Sequence, residues 1–399
     1  MRTHPIVFLF LILPFGAMGG YLTVAIAYLL TQAGVGVEEV AELVAFSYIP
    51  HTWKFLWAPV VDTTLSRKTW YLSAGLVSAV GIFATGVIPA EHRFLPLLYA
   101  AVLVSNVAVT FLAMASESLM AYNTRPDQQG RAGGWFQAGN LGGMGLGGGA
   151  GLWLAQNLAE PWMAGAVLAV ACALCAVALL FVPEPPRIAR SSHYGRTLLA
   201  VLRDLWSVAR SRTGILALLI CFLPIGTGAA SNLWSAVADD WHASADTVAL
   251  VTGALTGVVC AIGCLVGGYG SDRMDRKTSY ALYGLLMAIC AVAMALAPRT
   301  EAMYATFVLI YAFIQGLTYA GFTAVVLEAI GLGAAATKYN LFASLSNMPI
   351  AYMTVVDGWG HTRWGAAGLL ETEAVIGLAG IVVFAAVAMA LPRRAMPAL

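Results

Sequence analysis

Long apolar runs dominate the chain, separated by short polar interruptions instead of alternating with polar faces. Each runs roughly 20 to 30 residues, enough for a helix to cross a hydrocarbon core about 30 Å thick. The runs place spans at 6–31, 40–61, 70–90, 94–122, 134–157, 161–183, 214–238, 246–270, 279–298, 302–331, 337–357 and 368–391. A transmembrane barrel needs segments of about ten alternating residues between turns, and no such alternation is present. The expectation is an all-α integral membrane protein with twelve transmembrane helices in the lipid bilayer. The first run has no small-residue cleavage site before a polar region, so it reads as a retained helix and not a signal peptide.

The longest polar stretch, 183–212, divides six spans from six. This predicts an N-terminal six-helix bundle over 1–182, a basic connector over 183–212 and a C-terminal six-helix bundle over 213–399. Leu198, Leu199, Leu202, Leu205 and Val208 recur at helical spacing, so the stretch from Thr197 to Arg210 is expected to lie along the membrane face. Landmarks repeat across the divide. Leu-Pro-x-Gly occurs at Pro14 and Gly16 and again, 210 positions later, at Pro224 and Gly226. Asp62, closing the second span, returns as Asp272 at the same offset, and Glu117 returns as Glu328 at an offset of 211. Two bundles related by a pseudo-twofold repeat are implied.

Composition agrees: 60% of residues are hydrophobic and 10% charged, against about 25% charged in soluble domains. The net charge of +1 conceals a strong asymmetry. Seventeen of the 21 Lys and Arg fall on one side: Arg2, Arg67, Lys68, Arg125, Arg131, Arg187, Arg190, Arg196, Arg203, Arg210, Arg212, Arg273, Arg276, Lys277, Lys338, Arg393 and Arg394. Only Arg93, Arg299 and Arg363 fall on the other, and Lys54 lies within a span. Positive loops face the cytoplasm, so both termini are expected there. Cations distributed in this way are topology signals, and no nucleic-acid partner is implied.

Lys54, Glu117 and Glu328 sit inside apolar runs. A charge at the bilayer centre costs about 2.5–3.5 kcal/mol on insertion scales, so each needs a partner or water. Lys54 and Glu117 lie at similar depth and are expected to pair. Glu328 has no basic mate evident at its depth, which suits a proton-binding site; proton coupling through Glu117 or Glu328 stands beside a structural polar contact and direct substrate contact as the readings of these acids. The glycine stretch 139–151 has no following Lys-Ser/Thr and lies in an apolar run, so it is not a phosphate loop. Its small residues, with Gly253, Gly257, Gly263, Gly267 and Gly268 on the eighth span, instead allow close helix contact across the bundle interface. The six cysteines fall inside spans, and Cys172-x-x-Cys175 has no second pair or nearby histidine, so packing is the reading and no metal or cofactor is implied. The histidines are scattered, and only His51 lies near a buried charge. An intramembrane enzyme needs a converging nucleophile and base or metal ligands, and none is found; a non-catalytic receptor is the remaining alternative class.

Two six-helix bundles in parallel repeat resemble the architecture of major facilitator transporters. The loops "APVVDTTLSRKTW" (58–70) and "GGYGSDRMDRKTSY" (267–280) resemble that superfamily's short-loop signature. An acid ending one helix and cations starting the next can form a latch that holds the bundles in one state. Asp62, Arg67 and Lys68 supply it in the first half, and Asp272, Arg273, Arg276 and Lys277 in the second. "YIPHTWKFLWAPVVD" (48–62), the passage 119–149 and the run Ala336, Thr337, Tyr339, Leu341, Ser344, Leu345, Ser346 resemble the AmpG-type muropeptide permeases, acetyl-CoA transporters and rhizobactin and pyochelin siderophore permeases. Where many AmpG-type permeases carry aspartates in helix four, this chain has Glu117, and it has twelve spans; both features weaken a muropeptide assignment, and the length suits the siderophore permeases better. The resemblance implies a monomeric inner-membrane transporter of a bacterial type. It would import a polar organic solute with protons by alternating access; efflux is the alternative direction. Helices interrupted at matching places in two halves point to a central site. Pro14, Gly16, Tyr21, Pro224, Gly226, Asn232 and Trp234 are therefore the expected cavity residues.

Overall fold

The computed structural model describes residues 3–185, 199, 203, 205–331 and 335–391. Arg2, Arg187, Arg190, Arg196, Arg393, Arg394 and most of the expected amphipathic connector lie outside the described residues. The described chain is helical, with eight helical stretches long and apolar enough to cross a membrane. The last of these, Ala335–Ala390, contains a reversal at Gly365, whose φ of +67° is a left-handed conformation that glycine adopts readily.

The other expected spans are shorter or broken pieces. Pro50 and Pro59 each begin a short helix, dividing the second expected span into Val37–Ser47, Ile49–Trp53, Lys54–Leu56 and Ala58–Thr63. A proline lacks the N–H that a continuing helix needs. The seventh begins as Arg212–Phe222, breaks at residues 223–228 and resumes as Ala229–Leu233 and Trp234–Val237. Gly226 (φ +57°) and Gly228 (φ +71°) make that break possible.

Pro14 behaves differently from its repeat partner. Helix Ile6–Gly20 runs through it without interruption, and the loosening comes one to two turns later, in a wide-turn stretch over Tyr21–Ile26 that follows Gly19 and Gly20. Such π-type turns arise where an extra residue is accommodated in the ladder. The expectation that both prolines break their helices therefore holds for the second half alone.

Each half has its own apolar core. One contains Tyr21, Ile82, Val109 and Leu168; the other contains Trp234, Met287, Tyr304 and Tyr311. A third core draws on both halves, joining Leu11, Leu119 and Phe136 to Ile220, Tyr280 and Tyr339. It lies toward the short loops at 62–67 and 272–276, so the halves are sealed together at that end. Glycines bring the seam tight. A Cβ on Gly130 would lie 2.3 Å from the Gly268 carbonyl oxygen, and one on Gly134 would lie 2.6 Å from that of Cys264. Gly145 meets Gly257 farther along. The fifth and eighth spans thus pack across the interface, as their small residues predict.

Candidate functional site at the seam between the halves

The sealed end is built on two aspartates. Asp62 ends the helix Ala58–Thr63 and reaches the start of helix Ala335–Leu345 in the other half. Its carboxylate accepts from the Thr337 amide and hydroxyl, both at 2.8 Å, and from the Ala336 amide at 3.3 Å. Asp272 does the same in the opposite direction, accepting from the Gly130 amide at 2.7 Å and the Arg131 amide at 3.0 Å at the start of helix Gln129–Gly145. The first amides of a helix have no intrahelical acceptor and carry the positive end of the macrodipole. A carboxylate placed there satisfies both.

The first loop keeps an ion pair of its own, whereas the cations of the second loop are arranged otherwise than a latch within that loop would have them. Arg67 is buried, with Nη2 3.8 Å from Asp62 Oδ1, and its Nε donates to Ser118 at 3.4 Å. The Arg67 and Lys68 amides donate to Glu184. Asp272 pairs with Arg131 of the other half at 2.8 Å and not with its own loop. Arg273 lies over the Tyr269 ring. Arg276 and Lys277 both hold Glu328, Arg276 at 3.1 Å, and Arg276 also donates to the Pro126 carbonyl across the seam. This corrects the expectation for Glu328: it has two basic mates and belongs to the latch. Depth along the chain alone missed them because they approach from the neighbouring helix Arg276–Leu296. Lys338, expected in a loop, is fully buried.

Behind the latch lies a buried charge. Lys54 Nζ stands 3.5 Å from Glu117 Oε1, both side chains being under 10% exposed. The other oxygen of Glu117 accepts from Asn340 Nδ2 of the second half at 2.5 Å. One carboxylate therefore binds a cation from its own half and an amide from the other. A polar chain follows along the seam, unread in the sequence. Asn140 donates to Gln137 at 3.1 Å, Gln137 to Thr323 at 2.9 Å, and Thr323 meets Tyr339 at 3.4 Å. Amides inside an apolar run were the available signal. His51 is held by Asn106 at 2.9 Å and packs edge-on against Phe15, whose ring also lies under Lys54.

At the far side of the glycine contacts the halves separate around a cavity of about 480 Å³. Thr23, Met144 and Gly148 line it from the first half, and Thr252, Gln315 and Tyr319 from the second. None of the seven residues expected there does. Gly16 packs on the Asn140 carbonyl, and Tyr21 points into the first core between Gly86 and Gly165. Pro224 packs against Gly380, and Trp234 meets the Tyr311 ring edge-on at 5.1 Å in the second core. Asn232 donates to Thr354 at 2.9 Å. Gly226 borders a separate space of about 60 Å³ beside the break. The cavity wall comes instead from neighbouring faces of the first, fifth, eighth and tenth helices. Helix phase decides which face that is, and a proline's position does not reveal it.

A two-half helical membrane protein, closed at one end of its seam and open around a cavity beyond it, is the architecture of an alternating-access transporter. The comparisons with known proteins agree. Residues 6–354 match the Major Facilitator Superfamily, and the chain belongs to that family. The anhydromuropeptide permeases of two Escherichia coli strains are 24% identical over 327 residues, covering 77% of this chain and 64% of theirs. Among solved structures, the Escherichia coli fucose:proton symporter FucP superposes with a TM-score of 0.72 at 14% identity, covering 96% of this chain and 98% of that one. The human organic anion transporter MFSD10 superposes with a TM-score of 0.69 at 18% identity, covering 95% and 98%. The protein is a multi-pass membrane protein of this superfamily, and the chain spans just under two thirds of the length of the curated relatives it matches.

Proposed function

We propose that the protein is a proton-driven importer of a polar organic solute of the siderophore or muropeptide kind, working as a monomer in a bacterial inner membrane. The positive-inside asymmetry puts the basic loops in the cytoplasm. The closed end of the seam is then the cytoplasmic one, and the structure is an outward-facing state. The solute binds in the cavity, whose 480 Å³ is within the size range of small-molecule sites, about 300–1,000 Å³. Thr23, Gln315 and Tyr319 offer neutral hydrogen-bonding groups there.

The observation that carries this reading is Glu117, shared between Lys54 and Asn340. As a carboxylate it makes charge-assisted bonds to both halves, about twice as strong as neutral ones. A proton arriving on Glu117 weakens both at once and releases the second half. The two aspartates and Glu328 then part from their partners, and the solute leaves toward the cytoplasm. Likeness to the anhydromuropeptide permeases supports a muropeptide-like solute.

The test is uptake into proteoliposomes of an anhydromuropeptide and a ferric siderophore, with and without an imposed proton gradient. Gradient-driven accumulation of one of them is expected in the intact protein. Glu117→Gln should keep solute exchange while losing accumulation. Equal uptake with and without the gradient, or full accumulation by Glu117→Gln, would remove the proton role.

A further inference from the structure

Two acids of the second half take no part in the seam. Asp357 is fully buried, and neither of its carboxylate oxygens has a hydrogen-bond partner. Glu373 is 5% exposed, and its Oε2 is also unpartnered. They lie on the two arms of Asn347–Ala390, on either side of the reversal at Gly365. Gly360 sits against Gly368 and Thr372, which sets the arms side by side and brings the two carboxyl groups within electrostatic reach of one another.

The surroundings of the pair hold no counter-charge among the described residues. From helix Glu301–Ile330, Tyr311 donates its hydroxyl to Glu373 Oε1 at 2.5 Å. From helix Arg276–Leu296, the Cys290 thiol faces Glu373. From the segment after the break in the seventh span, the Ala229 and Ala230 amides face the same carboxylate. Glu373 thus has several donors for its negative charge. Asp357 has none, and two neighbouring carboxylates without a cation in low dielectric repel one another. A proton on one Asp357 oxygen, donated to the free oxygen of Glu373, partners two of the three atoms that otherwise stand alone and removes the repulsion.

We propose that Asp357 and Glu373 form a proton-binding site in which Asp357 carries the proton and Glu373 the charge. The proton comes from water and returns to water, with no other bond made or broken. While bound, it ties the two arms at Gly365 to each other and, through Glu373, to the broken seventh span. Its loss leaves two charges facing each other and drives the arms apart. The site is distinct from Glu117, and it rests on the proposed proton-coupled transport only if this proton also contributes to the drive.

Infrared difference spectra of the purified full chain, recorded across a pH titration in light and heavy water, read a buried protonated carboxyl directly. An isotope-sensitive carboxyl band is expected at neutral pH, lost in Asp357→Asn, shifted in Glu373→Gln, where the acceptor is an amide, and kept in the exposed control Glu371→Gln. Asp357→Asn retains a donor toward Glu373 and should fold, which its melting curve checks. A wild-type protein without the band, or one whose band survives in Asp357→Asn, would overturn the inference. These results do not depend on solute: the band can fail while gradient-driven uptake stands, and uptake can fail while the band stands.

Discussion

Asp62 and Asp272, 210 positions apart, each cap the first amides of a helix in the opposite half of the molecule. The exchange is reciprocal, so each half both gives and receives one contact. Asp62→Asn or Asp272→Asn removes a charge from a helix start, where it contributes about 0.3–2 kcal/mol. Each is expected to shift the population toward a parted loop end by a few-fold, and the two together by roughly the product, because the sites share no partner. Spin labels at Arg125→Cys and Met274→Cys, in a background without the native cysteines, would register this as a growing long-distance component. An unchanged distribution in the double variant would exclude these contacts as the latch.

Glu117 is expected to be the costliest single position on the seam. Breaking a buried ion pair by removing one partner destabilises by about 3–5 kcal/mol, because the other charge is left uncompensated. Lys54→Met should therefore lower the melting temperature more than Lys54→Met combined with Glu117→Gln. A thermal melt of the three variants decides it. A double variant less stable than either single one would mean that the pair is not coupled.

The glycine contacts give a prediction with an internal control. Alanine at Gly130, Gly134 or Gly268 puts a methyl within 2.3–2.6 Å of backbone carbonyls on the facing helix. Overpacking of that kind costs about 1–3 kcal/mol. The helices are expected to part at the loop end, lengthening the same spin-label distance. Gly149→Ala and Gly253→Ala, whose added methyl would meet nothing within 4 Å, should leave it unchanged.

Glu328→Gln should loosen the loop end less than Asp272→Asn does. Its carboxylate is 28% exposed and its two cations 16% and 13%, and partly exposed pairs contribute about 1 kcal/mol or less. Gradient-driven uptake by Glu328→Gln should persist at a reduced rate. Complete loss, with exchange preserved, would return Glu328 to a proton-carrying role.

The fold and its repeat were readable because span length and the 210-residue offset are properties of one dimension. The same holds for Lys54 with Glu117, whose depths follow from counting turns, and for the glycines of the fifth and eighth spans. What could not be read is everything set by how the halves dock. Asp62 looks to Arg67 and Lys68 in the sequence, yet its closest acceptor bonds come from Thr337. Glu328 seemed alone because its mates sit on a neighbouring helix. Asp357 stood at the edge of an apolar run and Glu373 a few residues inside the next, so neither stood out until the reversal at Gly365 brought them together.

Although the halves repeat in sequence, they differ as mechanical parts. The first helix passes through Pro14 unbroken and yields only by widening, while the seventh is severed at Gly226 and Gly228. Flexure should therefore concentrate in the second half, with the first serving as the stiffer frame against which it swings. Alanine at Gly228, where φ is positive and an added Cβ would fall 2.4 Å from Gln315, strains that joint and would disturb the whole cycle even though the residue lies outside the seam.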